Sequence, residues 1–78
     1  MINQLDMVVL THDIAEHSLQ QDDVGTVVHV YAEGAAYEVE FVTAEGQTVA
    51  VLTLTAADVR PMAAHEILHV REVTPVAA

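Results

Sequence analysis

Histidines and carboxylates are the groups in this 78-residue chain best suited to metal binding or proton transfer, and they fall into three sets. His65 and His69 stand four residues apart, so on a helix both imidazoles project from one face. That is the spacing of two zinc or nickel ligands, with Glu66 or Glu72 as a further carboxylate. A complete site needs three or four ligands, and the sequence does not dictate the third. The competing reading is a solvated polar face. On a strand the two histidines still share parity but stand too far apart for a compact site.

His12 and His17, with Asp13 and Glu16, form the second set. Histidine–carboxylate pairs serve as acid–base couples because histidine titrates near neutrality. No nucleophile, oxyanion-hole glycine or cofactor motif accompanies them, so a solvated loop is the better reading. The third set, Glu33, Glu38, Glu40 and Glu45, gathers around one hairpin. Paired carboxylates can hydrolyse glycosides, but only in a cleft that holds a sugar. A barrel of this size encloses only its own side chains. These four glutamates are therefore read as a charged face that guards the sheet or meets a partner. There is no phosphate-binding glycine loop, no Ser-His-Asp arrangement and no zinc ribbon. The expectation is a protein that is not an enzyme and carries no cofactor.

Charge narrows the partners. Twelve Asp and Glu face two cations, Arg60 and Arg71, for a net charge of −10. Nucleic-acid binding draws much of its affinity from Lys and Arg against phosphate, so DNA and RNA are disfavoured, as are anionic membranes. Tyr31, Tyr37 and Phe41 are too few for a base-stacking platform and read as core or rim. A basic protein partner suits the charge. The start of the chain lacks a positive n-region and a long apolar h-region, which points to the cytoplasm. No run approaches the length of a membrane span. With no cysteine, stability rests on aliphatic packing, a partner or self-association.

These residues need strands to hold them. Met7–Thr11 is a short β-branched run. His12 to Asp23 reads as a loop with a possible helical turn at 14–17 and Leu19 as its anchor in the core. Asp22 and Asp23 fit a tight turn. From Val24 to Tyr31 the apolar residues switch parity, the mark of a strand that bends or bulges. His29 is expected to face outward. After a loop at Gly34, Tyr37, Val39 and Phe41 alternate with Glu38 and Glu40, a half-buried strand. Gly46 turns into Thr48–Leu54, with Ala50, Leu52 and Leu54 on one face. Thr55–Asp58 has the form of a capped turn. Pro61 confines Val59–Met62 to a sheet edge or strand end. Five short strands with a helical turn before the last give an SH3-like barrel over residues 1–62. Residues 63–78 form an appendage, helix or strand, with a frayed end; Ala63, Ile67 and Val70 favour an amphipathic helix.

The run Asp23-Val24-Gly25-Thr26-Val27-Val28, with the return strand Tyr37-Glu38-Val39-Glu40-Phe41, resembles KOW-type SH3-like modules. The closer resemblance is to small bacterial proteins grouped as domain of unknown function 4926. It rests on Leu5-Asp6-Met7-Val8-Val9-Leu10, Leu19, Val24–Val28, Tyr37–Phe41, Ala50–Leu54 and Val59-Arg60-Pro61. Asp22 stands where a glycine is often found before the Gly25 turn, and the tail after Met62 extends past the usual core. The resemblance implies the barrel and brings no catalytic residues. The leading functional expectation is a non-enzymatic interaction module that binds a basic protein, for instance an antitoxin or immunity protein. Its tail, with Ile67, Leu68, Val70 and Val73, is expected to cover a sheet edge or to form a homodimer interface. The alternatives are a metal-binding protein using His65 and His69, or an accessory subunit of a larger enzyme.

Overall fold

A computed structural model describes residues 1–73. Five strands form one antiparallel sheet: β1 (Met7–Leu10), β2 (Val24–Tyr31), β3 (Ala36–Val42), β4 (Thr48–Leu54) and β5 (Val59–Pro61). Their order is β4-β3-β2-β1-β5, which is that of an SH3-like small barrel, with β4 and β5 at the two edges. A 3₁₀ turn, Ala15–His17, sits in the loop between β1 and β2. Leu19 anchors that loop as expected, buried to 4% exposure and bridged to Ile14.

Register explains the pattern of β2. Val27 pairs with Val39 and is fully buried, while His29 pairs with Glu38. Val28 is therefore an extra residue, a β-bulge that switches which parity faces the core. Before the bulge Gly25 and Val27 point inward, and after it Val30 packs against the core while His29 turns to solvent. A second shift, between Phe41 and Val42, makes Val49 the extra residue on β4. Beyond it Ala50, Leu52 and Leu54 pair with Phe41, Val39 and Tyr37, the three inward residues of β3.

The core is wholly apolar in its packing. Ile2, Val8, Leu10, Leu19, Val27, Tyr37, Val39, Phe41, Leu54 and Val59 form one cluster, and none of the described buried residues is charged. Gly25 packs tightly against this cluster: a β-carbon there would stand 2.6 Å from Val39 Cγ1 and 2.8 Å from Phe41 Cε1. The aromatic ring takes the place of a side chain at residue 25.

The turns follow local chemistry. Asp22 adopts φ 76°, the left-handed conformation that Asp tolerates. The β2–β3 loop is costlier, since Ala32 and Glu33 both take positive φ ahead of Gly34. Before β5, the Thr55 N–H donates to Asp58 Oδ2 at 2.9 Å and the Asp58 N–H donates to the Thr55 carbonyl, closing the expected capped turn.

The tail corrects one expectation. Residues 63–73 form neither helix nor strand; one turn closes where the Glu66 N–H donates to the Ala63 carbonyl. An isolated helix of this length is marginal in water and needs an apolar face to bury. Here Ile67 and Val70 are 88% and 89% exposed, so no burial offsets the cost of ordering a helix. The frayed end expected for residues 74–78 lies outside the described residues.

Gly25→Ala is expected to lower stability by about 1–3 kcal/mol, the usual cost of overpacking a core. A urea titration checks this, with the fall in midpoint expected to come without a change in slope.

Candidate functional site

Two arrangements of polar groups emerge from the fold, one on the outer face of the sheet and one around the tail. On the outer face, β3 carries Glu38 and Glu40, two residues apart and therefore on the same side. Glu40 pairs across the sheet with Thr26 and Val51, and Glu38 with His29 and Thr53. Both carboxylates are held by hydroxyls of β4. Thr53 Oγ1 donates to Glu38 Oε1 at 2.6 Å, and Thr48 Oγ1 donates to Glu40 Oε2 at 3.0 Å. The Tyr31 hydroxyl donates to the same Glu38 oxygen at 3.3 Å, and burial together with the Glu38 carboxylate pushes this phenol's pKa up. His29 meets the Tyr31 ring edge-on, with centroids 4.6 Å apart.

Glu33 and Glu45 lie elsewhere, exposed in the β2–β3 and β3–β4 turns. The four glutamates read from the sequence thus divide into an ordered pair on the sheet and one carboxylate at each end of the hairpin. Tyr37 and Phe41 are in the core and Tyr31 is on the rim.

Neither histidine set forms the group its spacing suggested. Without a helix at 63–73, His65 and His69 do not share a helical face. Among the described residues no group of three or more His, Cys, Asp or Glu is placed to hold a metal ion. His12 turns away from Glu16 and His17 to the far end of the sequence: its Nε2 is 2.8 Å from Asp58 Oδ1. Hydrogen bonding to Asp58 raises the His12 pKa. Asp58 is lowered, first by the Thr55 N–H and then by His12. Asp13 Oδ1 instead accepts from the Gln21 N–H at 2.7 Å.

The tail arrangement uses both cations of the chain. Arg60 on β5 forms a two-point pair with Glu66, at 2.7 and 2.6 Å, and this holds the Glu66 pKa down to about 2. Arg71 returns to the barrel, donating from Nε to Asp23 Oδ1 at 2.8 Å, from Nη2 to the other Asp23 oxygen, and to the Ser18 carbonyl at 3.0 Å. Burial alone would raise the Asp23 pKa, but the hydrogen bonds from Arg71 and from the Gln20 N–H outweigh it and the net shift is downward. A shallow depression of about 320 Å³, lined by Asp13, Ser18, Leu19, Arg71 and Glu72 among others, lies beside this tie. The two ties bracket Val9, whose strand partners are Arg60 and Val24. Val9 lies outside the core cluster, yet is only 3% exposed.

The pairs His12–Asp58 and Arg71–Asp23 span 46 and 48 residues, so local sequence patterns did not reveal them. One signal was present: with twelve acids and two arginines, each cation has a surplus of carboxylates to pair with.

The sheet order and bulged second strand define a small SH3-like β-barrel whose outer face carries Glu38 and Glu40. The chain belongs to the family described as domain of unknown function, DUF4926, which it matches over residues 4–61. The match ends at the last residue of β5, so the tied tail lies outside it. No curated protein and no solved structure matches the chain. No helix among the described residues is long and apolar enough to cross a membrane.

Two outcomes follow from these ties. The His12–Asp58 contact contributes fully below the ordinary histidine value of 6.5 and is lost as pH rises through the higher folded value. In an NMR titration His12 should therefore titrate above 6.5. Asp58→Asn should bring it back down. For the tail, Arg60 precedes Pro61 and resists trypsin, which leaves the bond after Arg71 as the one tryptic site. Asp23→Asn should speed cleavage there severalfold, because local opening governs proteolysis. Mass spectrometry of the products over time checks this.

Proposed function

We propose that this protein is a non-enzymatic interaction module that binds a basic protein partner. The observation that carries this reading is where the positive charge goes. Arg60 and Arg71 are both engaged in tying the tail, so Glu38 and Glu40 have no cationic partner among the described residues. Their hydrogen-bond partners are neutral hydroxyls, which orient the carboxylates without cancelling their charge. A surface of this sign attracts a basic protein and accelerates encounter with it.

The rest of the molecule agrees with a binding role. The polar couple His12–Asp58 ties the first loop to the turn before β5, and Asp58 also accepts from the Thr55 N–H and the Thr55 hydroxyl, a structural use of these groups. An antitoxin or immunity protein that neutralises a basic toxin is one concrete form of this function.

The test is an affinity capture from the source lysate at low and moderate salt, with wild type and a Glu38→Gln/Glu40→Gln double variant. A single stoichiometric basic partner is expected, weakened by salt and by the double substitution. Capture of the same partner at equal strength by both proteins, independent of salt, would overturn the acidic-face reading.

A further inference from the structure

The two edges of the sheet are protected very differently. β5 is three residues long, contains Pro61 and Arg60, and leads into the tied tail. Short length, proline and charge are the usual devices that stop an edge from pairing with another chain. β4 has none of them. Its seven residues, Thr-Val-Ala-Val-Leu-Thr-Leu, contain no charge, proline or glycine, and only the Val49 irregularity interrupts its ladder with β3. Val51 at its centre is 45% exposed, and Val42 across from its first residue is 52% exposed. Among the described residues no strand pairs with its outer side, and a long, uncharged, unpaired edge is a template for an added strand.

We propose that β4 is the docking edge, and that its occupant is an extended segment of a basic protein with Lys or Arg at alternate positions. This rests on the interaction reading above and specifies its mode. Along an added strand, alternate side chains fall on the face that carries Glu38 and Glu40. They stand two strand spacings from β3, about 10 Å, a gap that a lysine or arginine and a glutamate close by extending toward each other. The intervening residues fall on the other face, beside Ala50, Leu52 and Leu54, where small apolar side chains fit. Backbone hydrogen bonds supply affinity, and the two carboxylates select the charge of the incoming strand.

A second copy of this chain is the less favourable occupant. Pairing two β4 edges would bring two chains of net charge −10 together with their Glu38–Glu40 rows three strand spacings apart. Neither row offers a cation to the other.

The experiment titrates the isotope-labelled full chain with a capped peptide of alternating lysine and valine. The control is the same peptide methylated on the alternate backbone nitrogens whose N–H groups face β4, which keeps the charge and removes the ladder donors. We expect the unmodified peptide to bind with slowed amide exchange across residues 48–54 of β4, and methylation of the face-to-edge nitrogens to weaken it by about tenfold or more. Val51→Lys, at an exposed position, should weaken it as well. Val51→Pro is the harsher test where the variant still folds. Equal binding of both peptides, with no protection in β4, would overturn the docking edge while leaving the acidic interaction reading intact. Binding of neither peptide at low salt would overturn both. A concentration-dependent dimer with β4 protected before any peptide is added would overturn the choice of occupant.

Discussion

Phe41 lies where a side chain at residue 25 would have to be, and the sheet depends on that contact. Gly25 pairs with Val8 on one side, and the next residue of β2, Thr26, pairs with Glu40 on the other. The missing β-carbon lets the Phe41 ring and Val39 close over β2 at the point where β1, β2 and β3 meet. Two residues later Val27 is fully buried against Val39, and the bulge at Val28 follows at once. The bulge bends the strand after its inward residues have been used, so that β2 serves the core along its whole length while His29 and Tyr31 reach the surface. A barrel this small has few apolar contacts to spare, and this joint gathers several of them.

Electrostatics then divide the surface into two regions. Around the tail, each arginine meets a carboxylate and the ties bracket Val9 on the face away from the core. Over the hairpin no such compensation occurs among the described residues, and the carboxylates of β3 are held by threonine hydroxyls. Exposed ion pairs contribute little stability individually. Their consequence here is one of placement: with both cations held at one side of the molecule, the other side keeps its full negative field.

The same division appears in the edges. The tail side carries the short, proline-containing strand, while the acidic side carries the open one. Charge and an unpaired edge therefore fall on one surface among the described residues, and it is on this coincidence that the proposed docking of a basic segment rests. The histidines take no part in a comparable arrangement. His12 binds the turn before β5 to the first loop, and His29 leans on Tyr31.

How much of this was legible in the sequence follows from the range of the interactions concerned. Strands, turns and their faces are set by neighbours one to four residues apart, and so the alternation of Tyr37, Val39 and Phe41 with Glu38 and Glu40, the parity switch in β2, the left-handed Asp22 and the capped Thr55–Asp58 turn could all be read directly. The tail misled because its apolar residues have helical spacing, and spacing alone does not say whether a surface exists to bury them; here Ile67 and Val70 remain in solvent. With the helix went the shared face of His65 and His69. The pairs His12–Asp58 and Arg71–Asp23, and the threonine partners of Glu38 and Glu40, depend on register and chain reversal over many residues, which only the folded sheet fixes. The sequence by itself determined the elements, the net charge and the scarcity of cations. The tertiary structure decided where those two cations are spent, and therefore which edge and which carboxylates are left open.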